Sequence, residues 1–352
     1  MQCTVSCHDY KSMIMAQLEE IFADDTYQLT GVAISAEERL FTNYPLWSDV
    51  YKYALVEVLS DGSVQPYPNE YMNSWKEGES GLDKWVCVQA VYIDSDNCMW
   101  VVDPAAPFMG RVYQNSHKLV KIDLRTNTIE RTYRFEGITS DKSYINDVRV
   151  DTVRQVAYLT NSNEGGISVL DLDSGKGREL LKAHYSVKSD PSYTFIIDDH
   201  ELMKKGEPAK MQSDGIALSP DGVWLYYKPL TDNKLYRIRT EHLRDETLSE
   251  QELENEVEDL GEFTATDGMA FDQQGNLYLG DMQNYALMKI TPDLQMTTFV
   301  VDDQLIWPDS YSLSKDGQHL YISTSQIQKQ PDYNGGENQR TSPHKIFKVK
   351  IQ

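Results

Sequence analysis

Short apolar runs and polar turns alternate along almost the whole chain. In ATDGMAFDQQGNLYLGD (265–281) an acidic residue and a glycine open an apolar run, DQQGN turns the chain, and a second apolar run returns. Two such runs around a tight polar turn predict a β-hairpin. The same phrase recurs as TGVAISAEERLFTNYP (30–45), QAVYIDSDNCMWVVD (89–103), NDVRVDTVRQVAYLTN (146–161), DGIALSPDGVWLYYKP (214–229) and DSYSLSKDGQHLYIST (309–324). A third apolar run follows every hairpin, among them KLVKIDL (118–124), GISVLDL (166–172) and KIFKVKI (345–351). Most units add a fourth, as in TIERTYRF (128–135) and MTTFVVDD (296–303).

Six such repeats predict an all-β fold, a six-bladed β-propeller of four-stranded antiparallel blades in a single domain over 1–352. A lone blade cannot bury both faces, whereas neighbours in a ring can. The sixth unit supplies only three strands of its own. The segment AQLEEIFAD (16–24) is therefore expected to pair with the last strand and close the ring. Two segments break the pattern. Residues 184–212 form a long connection, read as a lid over one face. Residues 245–260 carry Leu248, Leu253, Val257 and Leu260 at near-helical spacing and predict a surface helix.

First strands of propeller blades line the central channel, so residues in equivalent positions form a ring about the axis. The position that opens each hairpin is Thr30, Gln89, Asn146, Asp214, Asp267 and Asp309, polar in all six units although an apolar strand follows. Carboxylates brought together there repel and rise in pKa unless a cation or hydrogen-bond donors intervene. Asn146, Asp214 and Asp267 are the candidate metal ligands, and an all-oxygen set suits Ca²⁺ or another divalent cation. A water-filled polar mouth with no metal is the alternative.

Composition narrows the partners. The formal net charge of −22 repels phosphate backbones and anionic lipid, so no nucleic-acid or membrane partner is expected; it serves solubility or attracts cationic ligands. No apolar run is long enough to span a bilayer. The first residues show no signal peptide and the chain has no Asn-x-Ser/Thr sequon, which makes a cytoplasmic location the default, or a secreted one if a leader has been removed. Cys3, Cys7 and His8 form a weak metal-like cluster, and Cys87 and Cys98 read as small core residues. Neither a G-x-S-x-G elbow nor a phosphate-binding G-x-x-x-x-G-K-[ST] loop occurs, and HELMK from His200 lacks the second histidine of a zinc protease.

YINDVRVD (144–151), VAYLTNS (156–162), GGISVLDLDSGKGRELLKAH (165–184) and SDGIALSPDGVWLYYKPLTDNKLYRIRTEHL (213–243) resemble the major royal jelly protein/yellow family, in a bacterial-type member. The likeness runs from about Thr30 to the C-terminus, and residues 144–243 are its specific part. It implies a six-bladed propeller that binds, or converts, a small aromatic or cationic ligand at the channel mouth, with dopachrome conversion as one activity proposed in the family. Gln89, Asp309, Tyr144, Arg178, His184 and Tyr227 are then candidate ligand-binding residues. A more distant resemblance to the regucalcin/gluconolactonase propellers places Asn146, Asp214 and Asp267 on three of that group's four metal ligands and Thr30 on the fourth, a Glu there. It implies a metal-dependent lactonase or esterase, with Asp267 as the catalytic base or nucleophile. A non-enzymatic interaction propeller is the third reading.

Overall fold

The computed structural model describes residues 16–352; the Cys3–Cys7–His8 cluster lies outside them. Six four-stranded antiparallel sheets are arranged as blades. Their inner strands are Val32–Ile34, Ala90–Ile93, Ile145–Asp151, Ser213–Leu218, Met269–Phe271 and Pro308–Leu313. The expected closure is present. Leu18–Asp24 pairs antiparallel with His344–Lys350 and completes the sixth blade.

The core is divided into six slabs, one between each pair of neighbouring blades. Strand periodicity explains why. Successive side chains point to opposite faces, so in blade 3 Ala157 and Leu159 pack towards blade 2 while Val156 and Tyr158 pack towards blade 4. The last slab joins the ends of the ring, with Phe22, Tyr321 and Ile346 of blade 6 against Val32, Leu40 and Val56 of blade 1. Because both faces of each blade are buried, the middle strands read as nearly continuous apolar runs.

The Asp-Gly pairs that open two hairpins have a packing reason. A Cβ on Gly215 would lie 2.3 Å from the Asp267 carbonyl oxygen, and one on Gly268 would lie 2.5 Å from that of Asp309. The Gly268 N–H itself donates to the Asp309 carbonyl at 2.8 Å. Glycine thus lets inner strands of adjacent blades meet backbone to backbone. Gly268→Ala is expected to cost about 2 kcal/mol, because the obstacle is main chain that cannot rotate away. Urea unfolding checks this, and an unchanged midpoint would contradict the close approach.

Two segments differ from expectation in detail. The predicted helix at 245–260 is shorter. Glu250–Asn255 is helical behind a Ser249/Glu252 capping box, and Glu258–Glu262 is the outer strand of blade 4, so Val257 and Leu260 flank or occupy a strand. Pairing with Lys234–Arg239 outweighs the weak helical spacing. Cys87 is fully buried, but Cys98 is only half-buried.

Residues 184–212 form a short turn and two small hairpins, Ile196–Ile197 with His200–Glu201 and Met203–Lys204 with Glu207–Pro208. They bury Phe195, Ile197, Leu202 and Ala209 against Leu230, Ala265, Trp307 and Ile327. That places them over the end of the channel where the inner strands begin.

Candidate functional site

The ring positions are buried. Thr30, Gln89, Asn146, Asp214, Asp267 and Asp309 all have under a tenth of their surface exposed. Local irregularity aims three of them. Pairing register shifts between Ile145 and Val148, between Ser213 and Ile216, and between Pro308 and Tyr311, which are the intervals containing Asn146, Asp214 and Asp309. Bulges of this kind re-aim side chains at the rims of closed sheets.

Asn146 Nδ2 donates to Asp214 Oδ2 at 2.9 Å and to Ser162 Oγ at 3.0 Å. Trp307 Nε1 donates to Asp267 Oδ2 at 2.7 Å. Ser310 Oγ donates to Asp309 Oδ1 at 3.0 Å, while Asp309 Oδ2 is buried with no partner. Tyr144 OH donates to Gln89 Oε1 at 2.7 Å and accepts from Trp47 Nε1 at 2.9 Å.

Burial dominates the electrostatics. It pushes Asp214 and Asp309 well above the usual carboxyl range, and the charge of Asp267 raises both further. Asp267 is also raised by burial, only to about 6, because the Trp307 indole and a hydrogen bond with Asp214 favour its ionised form. Burial and mutual repulsion thus make this pair hold a proton more readily than free carboxyls do. Lys228 is fully buried; desolvation lowers it to about 8 against the pull of Asp232, Asp214 and Asp267.

A cavity of about 100 Å³ opens above these groups, lined in part by Gln89, Tyr144, Asn146, Asp214 and Asp267. Five of the residues singled out from the sequence thus meet at one place, with Asp309 buried beside them. Its walls include Trp47, Met109, Lys204 and Tyr333, none of which the repeat pattern marks. Tyr333 OH is buried and unpartnered, and Lys204 Nζ lies 5.6 Å above the Tyr333 ring centre. Burial holds the Lys204 amine below its usual pKa. A larger cavity, about 280 Å³, sits at the other channel end around the Asp147–Arg149 ion pair, away from Asp214, Asp267 and Asp309.

Three expected ligand residues are elsewhere. Tyr227 is fully buried between blades 3 and 4, and its hydroxyl meets Ser186 Oγ at 2.7 Å. His184 Nδ1 meets the same Ser186 Oγ at 2.8 Å. Together they fasten the start of the 184–212 connection to blade 4. Arg178 lies on the outer strand of blade 3 and donates to the Leu243 carbonyl at 3.1 Å, the width of a blade from the axis.

Calcium takes six to eight oxygens at about 2.3–2.6 Å. Among the described residues no group of three His, Cys, Asp or Glu side chains stands at metal-ligating spacing. Two carboxylate oxygens of the ring are occupied by N–H donors, from Asn146 and Trp307. Thr30, where the distant resemblance has a Glu, spends its hydroxyl on the Gln89 carbonyl. Asp214 and Asp267 thus each have one carboxylate oxygen engaged by an N–H donor.

The profile of the family described as major royal jelly protein matches residues 86–340. Protein yellow of Drosophila melanogaster is 26% identical over 231 residues, 60% of this chain and 41% of the fly protein, so the chain spans less than half the length of that relative. Protein yellow of Drosophila yakuba is 26% identical over 258 residues, 67% of this chain and 46% of that protein. Among solved structures, a gluconolactonase from Xanthomonas campestris superposes with a TM-score of 0.58 at 12% identity, covering 96% of this chain and 90% of that one. The calcium-binding protein regucalcin from Agrobacterium tumefaciens gives 0.53 at 13% identity, covering 94% and 93%. At such identities these two show the shared fold alone.

Proposed function

The chain belongs to the major royal jelly protein family, and from that premise we propose that its channel mouth binds a small aromatic amine, with Asp267 as the counter-ion. The observation that carries this reading is the buried Asp214–Asp267 pair at the base of a cavity walled by Trp47, Tyr144 and Tyr333. An ammonium group against Asp267 replaces the missing counter-charge, and charge-assisted hydrogen bonds in a dry site are strong. The aromatic walls suit a ring, and the cavity volume suits a single small one. At the far wall, Lys204 and the unpartnered Tyr333 hydroxyl suit an acidic or phenolic group on the ligand's other end.

Asp267, held near pH 6, is also suited to take a proton from a bound substrate at neutral pH. Tautomerisation of a quinone such as dopachrome moves a proton and needs no redox partner, so conversion is the finer form of the same proposal. Metal-dependent lactone hydrolysis is the second reading, with less support because one oxygen each of Asp214 and Asp267 already accepts an N–H bond.

Dopamine titrated calorimetrically at pH 7.5 is expected to bind, and Asp267→Asn to weaken binding by about tenfold or more. Affinity is expected to fall towards pH 5, where Asp267 takes up a proton. Dopachrome decay followed by absorbance in the same samples separates conversion from binding. Calcium-dependent gluconolactone hydrolysis with no amine binding would overturn the proposal.

A further inference from the structure

A third cavity, a cleft, lies between blades 3 and 4, at the opposite end of blade 3 from Asn146. Its volume is about 570 Å³, and its lining includes Arg154, Lys176, Arg178 and Arg244 against two carboxylates, Asp171 and Glu246. Four cations gathered in one cleft are unusual in a chain whose net charge is −22. Arg154 is neutralised by Asp151 at 2.8 Å. Lys176, Arg178 and Arg244 enter no ion pair among the described residues, and Arg178 has only the Leu243 carbonyl.

Arg244 sits at the inner end of the cleft, half-buried, with Nη1 turned inward against the Tyr158 hydroxyl. No carboxylate among the described residues balances its charge there. The two lining acids do not answer it. The Asp171 carboxylate accepts from the Ser174 N–H at 2.6 Å within its own turn, and Glu246 is exposed.

We propose that this cleft binds a small phosphomonoester, its phosphoryl oxygens on Arg244, Arg178 and Lys176. Guanidinium forks match phosphoryl oxygens in pairs. The apolar side chains of Val156, Val169 and Leu243, which share the lining, face the organic part of the ester. The volume falls in the range of sites that hold a small organic molecule, larger than a lone oxyanion requires. The site is independent of the channel mouth.

The test is calorimetric titration of the whole chain at low ionic strength with inorganic phosphate and, separately, with phenyl phosphate. Phenyl phosphate is expected to bind more tightly than phosphate, and both to weaken as salt is added. Arg244→Gln and Arg178→Gln are each expected to weaken phenyl phosphate about tenfold. Arg125→Gln removes the same charge from a position 83% exposed and outside the cleft, and is expected to change nothing. Circular dichroism melts of each variant confirm that the fold is intact. Absence of binding by the wild type, or equal losses in all three variants, would overturn the proposal. Phosphate and phenyl phosphate binding equally well would overturn the part that assigns an ester.

Discussion

Phe22→Ala is expected to destabilise the protein by about 3–5 kcal/mol, the usual cost of emptying a buried phenyl site. Phe22 is the inward residue of the closing strand. It is 6% exposed, pairs in register with Ile346, and sits in the slab shared by the sixth and first blades. The outward residues of this strand matter less. The Glu19–Lys348 and Glu20–Lys345 pairs are substantially exposed, and such pairs contribute little. With an unfolding entropy of roughly 2.1 cal/mol/K per residue, a loss near 4 kcal/mol lowers the melting temperature of a chain this long by about 5 °C. Deleting residues 1–24 should do more, since it strips His344–Lys350 of a partner and exposes one wall of that slab. Differential scanning calorimetry of both variants checks the point. A melting temperature unchanged by the deletion would mean that the ring does not depend on this strand.

The second large effect concerns the buried carboxyls. Folding raises the pKa of Asp214, Asp267 and Asp309, so the folded state binds protons more tightly than the unfolded chain does. For a carboxyl raised in this way the sign is the reverse of the ordinary salt-bridged case. Its stability contribution is intact below about pH 4 and is lost as the pH climbs through the folded value, about 6 for Asp267. For Asp267 alone that displacement corresponds to roughly 3 kcal/mol. Buried neutral histidines act in the opposite sense. His344, lowered by burial to about 4, loses its contribution as pH falls below its ordinary value. The whole-protein curve therefore mixes both, and a difference between variants isolates the cluster.

Asp309→Asn keeps the shape and removes one ionisation next to Asp267. It is expected to be more stable than the wild type at pH 8, with the gap narrowing as the pH falls and closing only towards pH 4. Parallel urea titrations at the two pH values measure this. A constant gap, or none, would show that these side chains are solvated in solution. Ligand binding at the mouth should narrow the gap as well, because an ammonium group supplies the charge that the wild-type cluster lacks.

Much of this was legible in the residues. The hairpin phrase, with its turn and paired runs, located all six inner strands and the closing strand, because a strand buried on both faces leaves a dense apolar signature. Equivalence between repeats then gathered Gln89, Asn146, Asp214, Asp267 and Asp309 about one axis, since symmetry relates positions far apart in sequence. What the repeat could not supply is anything outside it. Lys204 and Tyr333 reach the cavity from segments with no counterpart in other blades. Trp307 was within reach, as it stands two residues before Asp309 and so next to the axis, but its hydrogen bond crosses to the neighbouring blade. Arg178 lies on an outer strand, which cannot reach the mouth, and His184 caps the turn after that strand with its ring on Ser186, features that a family resemblance does not fix.

The glycines that let neighbouring inner strands touch have an evolutionary corollary. Where main chain meets main chain, the bore is fixed by the peptide backbone, and no exchange of side chains in those strands can widen it. Room for larger ligands must therefore arise above the ring, in the capping hairpins and the loops around Trp47 and Tyr333. That division lets the barrel-like base stay constant while the rim diversifies from one descendant to the next.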